Sequence, residues 1–537
     1  MMGRRLQKFW RQSIQLLESA RFLDPIGRFF IRFPQKYFPA TLAAMAIFGL
    51  GLALLRSSGA LTIDEPTSAN IAHAPMVEAI AQIKNNNDAL LYPLFLKLWT
   101  KVFGESELAL RSFSALCFAL AILVVGITAA RLRDASTGLI AAGLMAGSFN
   151  TGLTFASTAR AYALLTLLTA LTIFWYLEMA GLYASKPKPF TQTRIALFAA
   201  LLTAGLVTHP LFAFFILALT AAALLISFRF FLRIVLSAGI AVAIYLLLWG
   251  GVIVEHSKMG FPATVWMTPP ELRNLLRAYL NLWGETKTIG IAGLCLIFLA
   301  IAIWRERRFT LRSDEKISLT LVVVCGFGVY LYSNLMTPIF HGARTPTLFL
   351  AAGCLLAASL LTRLSDRVAQ WAAYALVAAL MIDAAMNVYL ETKTPQPYSA
   401  RISVATVLRQ AKCRDVLVAS GESYSEIAYY LRRLGAPTCL RFIGFPSEIE
   451  RHIGWLDAFG LLEDEAVLDR EIGRLMIALA QSGAGAQVWL FRSRDPTYGH
   501  QQIADRLTAR LDAVYGKAQA LDLRGSFFDQ VLIYRVK

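Results

Sequence analysis

Two adjacent carboxylates, Asp64 and Glu65, follow the first long apolar segment in the sequence LTIDEPTSAN. Carboxylates beside a bilayer are costly unless they face water and have a function. A positioned carboxylate can accept the proton of a hydroxyl, which is a poor nucleophile at neutral pH. The pair therefore predicts a catalytic carboxylate at a membrane surface. The structural alternative for Asp64 is a helix-end or turn carboxylate that bonds local amides.

Arginine and histidine side chains occur at the same ends of later apolar segments. Arg160 and Arg344 could hold a phosphate group, because a guanidinium can bind phosphate bidentately. The alternative is that both side chains extend to the lipid interface. His209, in VTHP, and His341, just before Arg344, could donate a hydrogen bond to a phosphate or a sugar. A capping or packed histidine is the alternative for each.

Other charged residues near the carboxylate pair are more readily explained as structural. His73 and Glu78 could reach the same place, but the structural interpretation is favoured for both. Arg111, after FGESELAL, is expected to pair with Glu105, Glu107 or a lipid.

Composition indicates that membrane-spanning helices carry these residues. The 537 residues are 57% hydrophobic and 16% charged, whereas soluble proteins carry about 25% charged residues. Hydropathy predicts about eleven segments long enough to cross a bilayer. They are expected at 39–57, 109–130, 136–151, 161–181, 194–208, 210–228, 234–254, 288–304, 317–335, 346–362 and 370–389.

The distribution of charge orients the predicted spans. The net charge of +17 comes largely from the N-terminal arm and short loops, which fits membrane orientation and anionic lipids better than nucleic acid. No nucleic-acid partner is therefore predicted. The basic loops belong in the cytoplasm with the N-terminus, and the Asp64 loop and residues 390–537 lie outside. Residues 1–38 predict an amphipathic helix on the inner leaflet, with a disordered basic tail as the alternative.

The predicted fold is a polytopic α-helical membrane domain, residues 39–389, followed by an extracytoplasmic α/β domain, residues 390–537. External loops are expected at 58–108, with an interfacial helix, and at 255–287. Strand-like and helical stretches alternate after residue 390, which predicts a sheet that is at least partly parallel. Cys413 and Cys439 stand at the starts of predicted strands. They could form a disulfide in an oxidising periplasm, and the sequence leaves this open.

Several motifs share the outer side of the predicted bundle. They are the Asp-Glu pair, a proline-containing interfacial helix, Phe103-Gly104-x-Ser106-Glu107 followed by Arg111, Ala-Arg-Ala-Tyr at 159–162, and a histidine at the outer end of a middle span. In this order they resemble the polyprenyl-phosphate-sugar-dependent glycosyltransferases of the GT-C fold. Glycosyltransferase family 39, which includes protein O-mannosyltransferases and lipid A aminoarabinose transferases, is the most similar group. The resemblance covers about residues 40–350.

The resemblance implies a general base and a set of ligands. Asp64 matches the base of relatives, and Glu65 is expected to orient Asp64 or a neighbouring base. The residues implied to bind the donor phosphate or the substrate are Arg160, Tyr162, His209, His341 and Arg344. No cofactor is required, because the lipid-linked sugar is a substrate. Some GT-C enzymes hold a divalent ion, but this sequence has no dedicated cage, so no metal is predicted.

Two positions depart from the family pattern. Many relatives have a basic residue or histidine before the proline of the interfacial helix, whereas here Leu91-Tyr92 precede Pro93. Relatives often have Arg-Tyr near the tenth span, whereas here Arg344 is followed by Thr345.

The predicted function is that of an inverting glycosyltransferase on the outer face of a bacterial inner membrane. It would move a sugar from a polyprenyl phosphate to a hydroxyl of lipid A, a glycolipid, a polysaccharide or a protein. Membrane lipids are further partners, and a monomer or weak homodimer is expected. The alternative is a transporter or flippase of a lipid-linked or envelope glycan. That class should show repeats and broken helices around midplane polar groups, whereas here the charges cluster at one face. A non-catalytic assembly protein is a third possibility.

Overall fold

A computed structural model describes residues 23–536, apart from 63, 86–89, 184–190, 259–266, 281, 284–309, 364–366, 395–398, 452–458, 495–498 and 526–527. The N-terminal part of the predicted amphipathic segment and the span expected at 288–304 lie outside the described residues.

Apolar helices form most of the first 393 residues, and two shorter helical turns follow α6, at Phe149–Leu153 (π-helical) and Thr154–Ala156. In chain order the helices are α1 (Leu23–Arg56), α2 (Glu65–His73), α3 (Met76–Asn85), α4 (Leu91–Phe103), α5 (Glu107–Leu132), α6 (Ala135–Ala146), α7 (Tyr162–Met179), α8 (Gln192–Thr208), α9 (Phe212–Leu224), α10 (Phe228–Lys258), α11 (Leu272–Leu280), α12 (Ser313–Leu335), α13 (Leu350–Thr362) and α14 (Arg367–Lys393). The predicted boundary at residue 38 falls inside α1.

Within the described residues, six helices are long and apolar enough to cross a membrane. The bent pair formed by α6 and Phe149–Ala156, with an angle of 57°, would make a seventh span. Each predicted span other than 288–304 coincides with a helix, but α8, α9 and α13 are shorter than a full crossing. The chain is therefore a polytopic helical membrane protein, as predicted, while the expected number of about eleven spans is not confirmed.

A buried ion-pair cluster joins the helix ends opposite to Asp64. Glu315, in the first turn of α12, is fully buried, and its carboxylate lies 2.5 Å from Arg133 Nη2 and 2.7 Å from Arg363 Nη2. Ser359 Oγ donates a further hydrogen bond to Glu315 at 2.8 Å. A buried charge is tolerated where opposite charges and hydrogen bonds compensate it. The cluster thus fixes α5, α12 and α13 relative to one another.

Three short helices, α2 to α4, lie between the first span and α5. The predicted interfacial helix is α4, and it ends at Gly104, whose φ of 81° favours glycine. One face of α4 exposes Phe95, Leu98 and Val102, as expected for a helix that lies on a membrane surface. Ser106 then caps α5 by accepting a hydrogen bond from Ala109 N at 3.2 Å.

The C-terminal part forms a five-stranded sheet of order β2-β1-β3-β5-β4. Its strands are β1 (Val416–Ser420), β2 (Arg441–Phe445), β3 (Gln487–Ser493), β4 (Gln519–Leu521) and β5 (Phe528–Arg535). β1 pairs in parallel with β2 and β3, whereas β5 runs antiparallel to β3 and β4. The predicted α/β architecture is therefore confirmed.

Helices of this domain cover the sheet and continue the numbering: α15 (Ala400–Gln410), α16 (Ser423–Arg433), α17 (Phe459–Glu463), α18 (Glu465–Ala480) and α19 (His500–Tyr515). Cys413 and Cys439, which precede β1 and β2, form a disulfide with a Cα–Cα distance of 5.1 Å. The sequence alone does not decide whether this disulfide forms.

Candidate active site

Asp64 lies at the start of α2, at the end of the helical bundle that faces the α/β domain. Its side chain makes no capping hydrogen bond to this helix. Asp64 Oδ2 instead lies 3.2 Å from Arg160 Nη2 and 3.7 Å from Arg344 Nη2. The three side chains are 28%, 23% and 24% exposed, respectively. They therefore form one partly exposed cluster with a net charge of +1.

The two arginines reach Asp64 from different parts of the chain. Arg160 stands in the turn before α7, and Arg344 precedes a short 3-10 helix, Thr345–Leu348. Both turns lie where apolar helices end, so the guanidinium groups meet at the end of the bundle that faces the α/β domain. An excess of positive charge carried by guanidinium groups suits an anion such as phosphate.

Glu65 is buried and ties the chain at Asp64 to the chain at Arg160. Its Oε1 accepts hydrogen bonds from Arg111 Nε and from Ala159 N, both at 2.7 Å. Its Oε2 accepts from Arg111 Nη2 at 2.6 Å and from Thr62 N at 3.0 Å. Since Ala159 adjoins Arg160, the Glu65 carboxylate connects the chain segment that carries Asp64 to the segment that carries Arg160. The predicted role of Glu65, orientation of Asp64, stays a prediction.

Arg111 was expected to pair with Glu105, Glu107 or a lipid, and this expectation is corrected by its contacts with Glu65. Its side chain is 6% exposed. Its remaining hydrogen bonds go to the carbonyl groups of Ser57, Gly59 and Ala60, at 3.0, 2.6 and 2.8 Å. The guanidinium therefore organises the turn that leads from α1 to Asp64.

Tyr162 and His209 lie next to the two arginines. The Tyr162 ring is buried and lies 5.4 Å from the His209 ring, and the Arg344 guanidinium lies 5.7 Å from its centre. His209 occupies the turn between α8 and α9, and its Nδ1 accepts a hydrogen bond from Leu211 N at 3.2 Å. Burial, and then the charges of Arg160 and Arg344, lower the pKa of His209 to about 3. A neutral ring that accepts at Nδ1 carries its proton on Nε2, where it can donate to a ligand.

His341 lies beside Arg344 and shapes its turn. Its Nδ1 accepts from the backbone amides of Ala343 and Arg344, both at 3.3 Å. Burial, and then the neighbouring Arg344, lower the pKa of His341 to about 4, so the ring is neutral at pH 7. The backbone contacts agree with the capping alternative for this histidine, and its proposed contact with substrate stays untested.

A cavity of about 370 Å³ opens next to His341. Its lining residues are Met267, Thr268, Pro270, Asn274, Arg277, Ala278, Phe340, His341 and Gly342. Arg277 and Asn274 were not among the predicted site residues. Both residues lie in the predicted external loop 255–287, and this position could have identified them as candidates from the sequence.

Tyr92, which precedes the proline of α4, supports Arg160. It is buried, and its hydroxyl lies 2.9 Å from Ser114 Oγ. Ser114 Oγ in turn donates to the Arg160 carbonyl at 3.4 Å. A neutral hydrogen-bond chain thus occupies this position.

His73 and Glu78 have partners away from the cluster. His73 Nδ1 lies 2.7 Å from Glu105 Oε1, and Glu78 Oε1 accepts from Gln82 Nε2 at 3.0 Å. In the part of the chain that the structure describes, no group of three His, Cys, Asp or Glu side chains has the arrangement of metal ligands. Whether the protein needs a metal stays a prediction, because a substrate can complete a metal site.

Fold and site together define a polytopic membrane protein with a charged cluster at the ends of its helices that face an α/β domain. Two solved structures are similar to it over nearly the whole length. ArnT from Cupriavidus metallidurans bound to undecaprenyl phosphate matches with a TM-score of 0.56 and 14% identity, over 92% of this chain and 97% of that chain. ArnT from Cupriavidus metallidurans in the apo state matches with a TM-score of 0.54 and 14% identity, over 93% and 98%.

At such low identity the likeness concerns the fold, and it confirms the predicted GT-C fold class. No family model matches the sequence, and no curated protein matches it.

Proposed function

We propose that this protein is an inverting glycosyltransferase that moves a sugar from a polyprenyl phosphate to an acceptor hydroxyl, with Asp64 as the general base. The observation that carries the proposal is the partly exposed Asp64 carboxylate between Arg160 and Arg344. A base and two phosphate-binding cations at one place are what this transfer needs. The GT-C fold, shared with ArnT, supports the same chemistry.

The transfer is a single displacement at the anomeric carbon. The acceptor oxygen attacks this carbon from the face opposite to the phosphate, and the bond between the carbon and the phosphate oxygen breaks. The hydroxyl proton passes to Asp64. Because attack and departure occur on opposite faces, the anomeric configuration inverts.

The leaving phosphate gains negative charge, which fixed cations stabilise most effectively where water is excluded. Arg160 and Arg344 provide this charge, and His209 Nε2–H adds a neutral donor. Both guanidinium groups face Asp64. A bound phosphate would compete for them and leave the carboxylate free to accept a proton.

A lipid-linked donor agrees with the position of the site. ArnT was solved with undecaprenyl phosphate, and a polyprenyl chain can lie against the apolar helices while its phosphate reaches the arginines. Acceptors of the proposed reaction are lipid A, a glycolipid, a polysaccharide or a protein. The proposed location is the bacterial inner membrane, with the N-terminus in the cytoplasm, and the Cys413–Cys439 disulfide supports a periplasmic C-terminal domain.

The experiment compares Asp64→Asn with the wild type in a strain that lacks the endogenous gene. Lipids and glycans of the envelope are profiled by mass spectrometry, and purified protein is assayed with polyprenyl-phosphate sugars extracted from the source membranes. Loss of a general base should lower the transfer rate about 10²- to 10⁴-fold. The matched control is Asp505→Asn, an aspartate that pairs with Arg492 at 2.6 Å on the α/β domain.

Unchanged sugar transfer by a folded Asp64→Asn protein would refute the assignment of the base. A deletion strain that accumulates a lipid-linked glycan, and that Asp64→Asn rescues, would favour the transporter or flippase alternative.

A further inference from the structure

Helix α16 of the α/β domain lies directly against α2, the helix that follows Asp64. Ser425 Oγ lies 3.0 Å from Thr67 Oγ1, and the Ser425 carbonyl accepts from Asn70 Nδ2 at 2.8 Å. Arg432 Nη1 donates to Asn70 Oδ1 at 3.0 Å. These three contacts along α16 therefore hold α2 against the α/β domain.

One contact reaches the chain just before Asp64. The Leu61 amide donates to the Tyr430 hydroxyl at 2.7 Å, and both residues are buried. Burial raises the pKa of Tyr430, so the group is a neutral phenol. A buried amide left without a partner is costly, and this hydrogen bond therefore restrains the backbone that leads to the carboxylate.

The other end of α2 is also held. Lys97 Nζ donates to the Ala72 carbonyl at 3.0 Å and to the Ala74 carbonyl. Together with the pairing of Glu65 and Arg111, these bonds anchor α2 at both ends and along one side. The anchoring at the Asp64 end comes in part from Tyr430, a residue far away in sequence that belongs to a separate domain.

We propose that Tyr430 is a positioning residue of the active site, and that the α/β domain contributes to catalysis through α16. The inference rests on the proposed function of Asp64. Tyr430 touches no substrate; it acts through the Leu61 amide, which sets where the Asp64 carboxylate stands relative to the arginines. Small displacements of a catalytic group are enough to lower a rate about 100-fold.

The test is Tyr430→Phe, which removes only the hydroxyl. Turnover is measured with saturating polyprenyl-phosphate sugars extracted from the source membranes, and affinity is measured with undecaprenyl phosphate as the probe. We expect turnover to fall about 10-fold or more, while the dissociation constant for undecaprenyl phosphate stays within about twofold, because Arg160 and Arg344 are untouched. A merely structural role would instead lower turnover and the amount of undecaprenyl phosphate bound at saturation, both in proportion to the fraction of folded protein.

The matched control is Tyr429→Phe. Tyr429 is equally buried on the same helix, but its hydroxyl donates to the Glu105 carbonyl at 2.9 Å, away from Asp64. Tyr429→Phe also loses one hydrogen bond to a backbone group, although here the hydroxyl is the donor, and it should keep near-normal turnover. If Tyr430→Phe folds poorly, Ser425→Ala takes its place, because it removes a contact with α2 and leaves the sheet intact.

A double variant separates this proposal from the proposed function. If Tyr430 acts through Asp64, Tyr430→Phe should add no loss in an Asp64→Asn background. Wild-type turnover in Tyr430→Phe, or an equal loss in Tyr429→Phe, would overturn the positioning role while Asp64→Asn remained inactive. Full activity in Asp64→Asn would instead overturn the proposed function itself.

Discussion

At the scale of single residues, the site is an aspartate shared by two arginines. Arg160 and Arg344 differ in what surrounds them. The Arg160 carbonyl accepts from Ser114, whereas the Arg344 guanidinium lies over the Tyr162 ring. The planar fork is specific to arginine, and arginine lies over aromatic rings more often than lysine does. Lysine at either position would keep the charge but lose this geometry.

Arg160→Lys and Arg344→Lys should each weaken the binding of undecaprenyl phosphate about tenfold, because a bidentate contact becomes a single charge. Binding is measured on purified protein by native mass spectrometry or a fluorescent displacement assay. Arg474→Lys, on an exposed face of α18, is the control. If both site variants bound undecaprenyl phosphate as the wild type does, the arginines would not hold the phosphate.

At the scale of elements, the pairing of Glu65 with Arg111 joins the start of α2 to the start of α5. Removal of one member of a buried ion pair leaves a charge without compensation and costs about 3–5 kcal/mol. Glu65→Gln should therefore lower the Tm strongly, as measured by differential scanning fluorimetry in detergent. It should also lower turnover, because Ala159 and Thr62 lose a charged acceptor.

The matched control is Glu391→Gln. Glu391 pairs with Arg56 at 2.5 Å, but its side chain is 44% exposed, and exposed pairs contribute about 0–1 kcal/mol. Its Tm should stay close to that of the wild type. Equal values of Tm for the two variants would mean that the buried pair does not stabilise the protein.

The positions of the helices were predictable because long apolar segments leave a strong signal in hydropathy. The pairing of Glu65 with Arg111 was not, since Glu105 and Glu107 stand nearer to Arg111 in sequence and offer the same charge. Asp64, Arg160 and Arg344 could be placed on one side of the membrane, but their mutual contact depends on how the spans pack. The pairing of Tyr430 with Leu61 has no sequence signature at all.

At the scale of the whole molecule, charge is sorted to the two ends of the bundle. The end that faces the α/β domain carries Asp64 with its arginines, whereas the opposite end carries Glu315 between Arg133 and Arg363. Since the side chains of Arg133 and Arg363 are each only 9% exposed, they serve mainly as partners of Glu315.

The orientation of the chain has a direct test. If the C-terminal domain is periplasmic, alkaline phosphatase fused after residue 537 should be active, and green fluorescent protein at the same place should be dark. Cys413 and Cys439 should resist alkylation in intact cells until a reductant is added, because they form a disulfide. A fusion of alkaline phosphatase at the N-terminus is the matched control and should be inactive. A fluorescent C-terminal fusion with freely alkylated cysteines would place the Asp64 cluster in the cytoplasm. Nucleotide-sugars would then reach it, and the argument for a lipid-linked donor would lose its basis.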